Sequence, residues 1–493
     1  MKTFSVLKRL VLAAGMVGLA FLPMPAFAQD AGKMQEMLRV IGAQQKQLEA
    51  QQKQLDAQRR LVQELQTQMQ WLVENAEMEE MTVAAEKPSA KPSEWPIDTL
   101  PDQYKPLPEI GAVLSQDYRH DRVNPTGSNF TVVDPAVAIE VPGTKTRIGV
   151  HGFAEFQIIH DTNGLNNNEF DTADIPVDGS PSQTKFSVNP SRLAISSQSQ
   201  TPSGRLNTMI SMDFNGELDR PDPRLRTAYG EYINDDLNFA LLAGQTFATM
   251  LDLKSVPETL DFAGPTGYFA RRQPLGRFTK LFGRTVLAEV AVETPENVAY
   301  IDADPLTRLP DFVGAATWMA DGEYLSHLRL AGLTRDLRAE GTTGSTVSAL
   351  GWAIAGSGKV KLPFLGAKDN FKFSVQYGDG YGAQIKSGPA DAAFNPVSSK
   401  LETIGVFSTY GGLQHWWSGS LRSNLVAGYL KANNPRFIDG GELESTAYGA
   451  ADLIWNPLEN ITLGIEYLRG NRENKDGESG TANRFLFSSR FDF

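Results

Sequence analysis

The chain has 493 residues, with 46 Lys and Arg against 58 Asp and Glu, a formal net charge of −12 and no cysteine. The charge balance argues against nucleic acid as a partner, and the lack of cysteine excludes disulfides, thiolate metal sites and cysteine nucleophiles. Beyond the extreme N-terminus there is no apolar run of about 18 residues, which excludes a bundle of transmembrane helices.

Residues 1–28 read as a bacterial secretory signal. Lys2, Lys8 and Arg9 precede an apolar stretch, Leu10 to Leu22, and Ala26-Phe27-Ala28 is a small-x-small cleavage pattern. The apolar stretch is shorter than the roughly 20 residues a spanning helix needs.

Residues 29–83 read as a coiled coil. QQKQLEA, from Gln44, is followed at once by QQKQLDA, from Gln51. This period of seven places Ile41, Leu48, Leu55, Val62 and Met69 on one seam, with Leu65 and Leu72 beside them. Gln44, Gln51 and Gln58 fill the companion core positions of the first half. A seven-residue repeat winds helices left-handed around partner copies. So little apolar surface per heptad cannot stabilise a lone helix, so self-association is expected.

Residues 84–144 form a Pro-rich spacer, from Lys87-Pro88 to Leu107-Pro108 and beyond. Proline breaks helices and leaves sheet hydrogen bonds unmade. The last part, Val132 to Val141, is placed to pack against the strands C-terminal to it.

Residues 145–493 read as an all-β transmembrane barrel of about 16 antiparallel strands. The period becomes two: Ile148, Val150, Ala154, Phe156 and Ile158 alternate with Arg147, His151, Glu155 and Gln157. Such alternation in segments of about 10 residues marks a transmembrane barrel. Candidate strands start near 146, 186, 205, 223, 237, 268, 285, 312, 324, 345, 369, 402, 421, 445, 460 and 482. Short turns alternate with long loops near 161–184, 215–222, 247–267, 295–311, 335–344, 379–400, 432–443 and 470–481. An even strand count puts both termini, and therefore the coiled coil, on the periplasmic side. The alternating final strand ends on Phe493, a pattern that resembles the signal read by the barrel assembly machinery. The expected location is the Gram-negative outer membrane, in contact with its lipid.

A barrel of this size encloses a water-filled channel. Arg147, Arg192, Arg205, Arg224, Arg226 and Arg422 share the polar parity of their strands. Arg271, Arg272 and Arg277 form the most basic stretch, although two adjacent Arg cannot both face the lumen of a regular strand. The loop before them carries Asp252, Glu258 and Asp261. The expectation is an inward-folded, acidic constriction loop facing an Arg wall, giving a transverse field and favouring small anionic solutes such as carboxylates. His151 and Glu155 share one parity and read as a polar lumen pair rather than a catalytic dyad. No metal-ligand spacing, nucleophile elbow or phosphate-binding loop is present, so neither enzyme activity nor a metal or other cofactor is expected.

This layout resembles the DcaP family of outer-membrane porins over nearly the whole mature chain. The most specific segment runs from Gly244-Gln245-Thr246-Phe247 through Pro257-Glu258-Thr259-Leu260-Asp261-Phe262 and Gly264-Pro265 to Arg272-Gln273-Pro274. The resemblance implies a homotrimer of 16-stranded barrels with a periplasmic coiled coil, passing small anions, dicarboxylates among them. The alternative is a structural role: about 48 helical residues reach roughly 70 Å, enough to tether the envelope.

Overall fold

The chain divides into two units, Met1–Pro96 and Ile97–Phe493. The computed structural model describes residues 139–493 apart from 164, 166–167, 217–220, 235, 284, 296–297, 321–325, 342–345 and 459. The signal, the coiled coil and nearly all of the spacer lie outside the described residues. Among those described, the only helical pieces are 3-10 turns: Thr172–Asp174, Leu253–Ser255 and Gly382–Gln384.

Sixteen antiparallel strands close into one barrel. They are β1 (Thr146–Asp161), β2 (Arg192–Thr201), β3 (Gly204–Asp213), β4 (Arg224–Asn234), β5 (Phe239–Phe247) and β6 (Arg272–Phe282). Next come β7 (Val286–Glu293), β8 (Asp311–Met319), β9 (His327–Gly341), β10 (Thr346–Lys361) and β11 (Asn370–Asp379). The last are β12 (Gly405–Trp416), β13 (Leu421–Asn433), β14 (Leu443–Leu458), β15 (Ile461–Asn474) and β16 (Ser479–Asp492). Each pairs with its neighbours in sequence, and β16 closes on β1 with Arg484–Asp492 opposite Phe153–Asp161. Closure leaves no sheet edge, which hydrocarbon demands because it offers backbone groups no partner.

The side-chain period explains the two faces. Along β2, buried Arg192, Ala194 and Ser196 alternate with outward Leu193 and Ile195. Outward positions elsewhere carry Ile210, Leu241, Val290, Leu330, Ile354 and Ile465, all exposed as a lipid-facing wall must be. Aromatic residues ring both rims. Phe282, Trp318, Phe364, Trp417 and Trp455 stand near the short turns, and Phe312, Tyr377, Phe407 and Phe485 stand near the loop end. Phe312 and Trp318 are six residues apart on β8, or about 20 Å at 3.4 Å per residue.

Three expectations shift. The strand expected near 186 is split: Gln183–Ser187 pairs with the upper part of β1, and β2 pairs with its lower part. Pro190, with no N–H to donate, sits in the break. The long loops expected at 335–344 and 470–481 are mostly strand, since β9 runs to Gly341 and β15 to Asn474. There the strands rise past the apolar band, so outward positions such as Asp336 and Glu340 are charged and the alternation that reads as membrane strand is lost. Between the loop after β7 and the loop after β11, a small sheet joins Tyr300–Ile301, Ala392–Asn395 and Lys400–Thr403.

Candidate functional site: a narrowed lumen

The loop after β5, residues 248–271, does not stand out into solvent. It is bonded in turn to inward-facing residues of the barrel wall from β7 round to β15. At its start, Thr249 N donates to Glu293 Oε1 at 2.7 Å and Arg329 Nη2 donates to Thr249 O at 2.7 Å. Asp252 caps the 3-10 turn by accepting from Lys254 N at 3.2 Å. It also accepts from Ser357 Oγ at 2.9 Å and faces His327 Nε2 at 2.8 Å. Burial, the largest influence, would raise its carboxyl, but His327 and Arg329 more than reverse this and hold it well below the ordinary carboxylate range.

Further along, Ser255 Oγ meets Tyr410 OH at 2.9 Å, and Lys372 Nζ donates to Val256 O at 3.0 Å. Arg422 grips Glu258, and Gln414 Nε2 donates to the same carboxylate at 2.8 Å. Leu260 N and Asp261 N donate to Glu466 at 3.2 and 2.6 Å. Two wall glycines make this approach possible. A Cβ on Gly412 would stand 2.5 Å from Pro257, and one on Gly464 would stand 2.6 Å from Leu260. Met250, Leu251 and Phe269 add an apolar anchor against Ala331, Leu333, Ala353 and Val406.

Asp261 accepts from Phe170 N at 3.1 Å and Ala263 N at 2.9 Å, with Arg484 Nη1 at 3.5 Å. Burial outweighs Arg484 here and raises the carboxyl above its ordinary value. Arg484 itself donates from Nε and Nη2 to Asp161 at 2.7 and 3.0 Å.

The near wall is basic. Arg224 donates to Asp213 through Nε and Nη2 at 3.0 and 2.9 Å, and Arg226 Nη1 donates to the same carboxylate at 2.6 Å. A bulge between Ser211 and Met212 turns both Arg226 and Thr227 inward. The Phe262 ring, at the tip of the loop, lies 5.6 Å from the Arg224 guanidinium and 5.3 Å from that of Arg226. Arg272 stacks on Phe247 at 5.2 Å and Arg192 on Phe153 at 5.3 Å.

Between loop and wall lies a cavity of about 260 Å³. Seven cationic side chains line it: Arg192, Arg224, Arg226, Arg271, Arg272, Lys372 and Lys386. Three anionic ones do: Glu169, Glu258 and Asp261. Each anion has a basic partner, Lys386 for Glu169 at 2.7 Å, Arg422 for Glu258 and Arg484 for Asp261. Burial would lower Lys386, but Asp171 and Glu169 overcome it and raise the amine above its ordinary value.

The structure therefore gathers Arg192, Arg224, Arg226, Arg271, Arg272, Glu258 and Asp261 into one site. The adjacent pair divides as parity requires: Arg271 lies just outside β6 and donates from Nε to Ala383 O at 2.8 Å, while Arg272 begins the strand. Arg147, Arg205, Arg277 and Asp252 are not among the cavity-lining residues. Arg147 and Arg205 face inward near the turn end, and Arg277 faces Glu289 at 3.8 Å. Arg422 acts through Glu258. The loop acids are bonded to the far wall, so the arrangement is a basic wall facing neutralised carboxylates rather than opposed rows of acid and base. His151 meets Ser196 at 2.8 Å, and Glu155 accepts from Gln157 and Ser488. Among the described residues no cluster could hold a metal ion.

Sequence reading missed Glu169, Asp213, Arg329, Lys386 and Glu466. Asp213 and Arg329 were legible from inward parity. Glu169 and Lys386 sit on loops, where parity says nothing.

A model of the DcaP outer membrane protein family matches residues 136–493. No curated protein sequence matches the chain. Among solved structures, the outer membrane channel DcaP of Acinetobacter baumannii superposes with a TM-score of 0.65 at 19% identity, covering 72% of this chain and all of that one. An anion-selective porin from Comamonas acidovorans gives 0.50 at 9% identity, covering 71% of this chain and all of that one. At these identities the likeness is one of fold.

Proposed function

The chain belongs to the DcaP outer membrane protein family, and on that footing we propose that this outer-membrane porin is an anion-favouring channel for small carboxylates, dicarboxylates among them. The observation that carries the reading is the charge of the narrowed lumen, seven cations against three anions in its lining, an excess that remains when Asp213 is set against Arg224 and Arg226 and Asp171 against Lys386. A low-dielectric wall concentrates the field of these cations in the aqueous gap, so anions enter at higher local concentration than cations. The guanidiniums of Arg224 and Arg226, held by Asp213 and set against the Phe262 ring, line the cavity as fixed positive charges for a passing carboxylate. A solute with carboxylates at both ends can meet the Arg224–Arg226 wall and the Lys372 side of the cavity in turn. The loop at 248–271 sets the cross-section, and the family resemblance points to a trimer whose coiled coil extends into the periplasm.

The test is reversal potential in a planar bilayer under a salt gradient, followed by titration with small dicarboxylates. Anion preference with current block by succinate-sized dianions supports the reading. Equal permeability to both ions, or a preference for cations, overturns it.

A further inference from the structure

Three basic side chains stand side by side on the inner wall beneath the loop after β5. Lys359 on β10 is directly opposite His327 on β9 and Lys372 on β11. All three share the inward parity of Arg329, Ser357 and Ser374. Ser357, the inward position next above Lys359, donates to Asp252 of the loop at 2.9 Å, so Lys359 is the first inward residue of β10 on the turn side of that contact. Lys361, the last residue of β10, follows on the same face, about 7 Å nearer the turn end at 3.4 Å per residue. Lys359 is half-buried and Lys361 is exposed.

Directly opposite residues on neighbouring strands have Cβ atoms about 5 Å apart, and like charges so placed weaken a sheet. An acid or an amide at position 359 would remove that repulsion. The acids beside Lys372 are Glu258 and Asp252. Glu258 is already held by Arg422 and Gln414, and Asp252 by His327 and Ser357. Lys372 gives one N–H to Val256 O at 3.0 Å, which leaves its ammonium two to offer. Among the described residues the Lys359 amine makes no hydrogen bond or ion pair, and its charged neighbours are Lys361 and Lys372.

We propose that Lys372, Lys359 and Lys361 form a second anion site, on the turn side of the loop, which takes a carboxylate as it leaves the narrowed cavity. The proposal rests on the anion-favouring reading of the channel and adds the route by which the solute goes on. Lys372 is the link, since it lines the cavity and stands opposite Lys359. A carboxylate that has left the Arg224–Arg226 wall meets Lys372, accepts from Lys372 and Lys359 together, and moves on to Lys361 at the open end of β10. A carboxylate between the two facing amines offsets their repulsion, so the charges that burden the empty wall are the donors of the filled one. A dianion can hold one carboxylate in the cavity while the other reaches Lys359.

The probe is succinate, and the readout is the concentration that halves the current through the full-length protein in a planar bilayer. Lys359→Gln is expected to raise that concentration about threefold, and Lys359→Arg, which keeps the charge, to leave it close to that of the unaltered protein. Lys361→Gln, at an exposed strand end, should shift it in the same direction and provides a reading independent of packing. Arg205→Gln, also inward and near the turn end but seven strands away on β3, should shift it less. Lys359→Gln should melt no lower than the unaltered barrel, because one of two facing like charges is removed. An unchanged half-blocking concentration in Lys359→Gln and Lys361→Gln, an equal shift from Arg205→Gln, or a lower melting temperature for Lys359→Gln overturns the second site. Failure of the anion-favouring reading itself is seen separately, as a lack of anion preference in the unaltered channel.

Discussion

Arg422, on β13, holds Glu258 through two parallel hydrogen bonds, Nε to Oε2 at 2.7 Å and Nη2 to Oε1 at 2.6 Å. β5, which launches the loop, and β13, which receives it, are eight strands apart in a ring of sixteen, so this pair spans the barrel. The Arg422 side chain is 1% exposed and packs against Trp416. Removing one partner strands the other, at a cost of about 3 kcal/mol in loop docking. Glu258→Gln is expected to raise single-channel conductance and open-channel noise while the barrel melts as before. Unchanged conductance would show that Glu466 and Asp252 suffice to hold the loop.

The Arg224–Asp213–Arg226 triad predicts a non-additive result. Arg224→Ala removes one charge but leaves Asp213 paired to Arg226, so the anion-to-cation permeability ratio should fall about threefold. Changing both arginines to Ala strands the buried Asp213 carboxylate and is expected to turn the channel toward cations. Reversal potentials of the two single variants and the double variant provide the check. Arg205→Ala, away from the cavity, is the control and should leave the ratio within error.

Acid should strengthen the anion preference before it disturbs the loop. Asp261 has a raised carboxyl, so on acidification it takes up its proton above the ordinary carboxylate value, and the cavity becomes more positive. Asp252 has a lowered carboxyl, so its stabilising contribution is complete above the unfolded value and is lost only as pH falls through the lower folded one. Between these two events the permeability ratio should climb while conductance stays steady. Asp261→Asn is expected to flatten the climb. A ratio that falls on acidification would contradict this order.

The heptads predict a separable contribution to assembly. On the proposed reading of residues 33–81 as a coiled coil that joins three barrels, deleting them should lower the temperature at which the oligomer dissociates in detergent and leave conductance per pore unchanged. Semi-native electrophoresis over a temperature series measures the first, and bilayer recording the second. With glutamine at three of the expected core positions, the proposed coil would be weak in that half, so the expected result is a shift of several degrees rather than loss of the oligomer.

The barrel was legible because membrane strands repeat a two-residue pattern for 10 residues at a time, and the number of such segments fixes the strand count. Parity gave the face of Arg192, Arg224 and Arg226 correctly, but not height along the lumen. Arg205 has the same parity as Arg224 and sits near the turn end. The loop acids show the second limit. Glu258 and Asp261 could be placed on a loop, yet their partners, Arg422 and Arg484, are more than 160 and 220 residues away. No local pattern encodes such a pairing. The glycines at 412 and 464 were the available clue, since each interrupts an inward row with empty space. The extended hairpins of β9–β10 and β15–β16 were missed because strands above the membrane lose their outward apolar residues.

The bonds between the loop after β5 and the far wall also have a mechanical consequence. A hollow cylinder yields most easily by flattening, and a sheet one layer thick has little bending stiffness of its own. A chain segment fastened at His327, Ser357, Lys372, Gln414, Arg422 and Glu466 is a tie rod across the diameter. It holds β5 at a fixed distance from β9 to β15, so squeezing from the surrounding bilayer must stretch or shear several hydrogen bonds at once. The same segment that sets how wide the passage is also keeps its outline round.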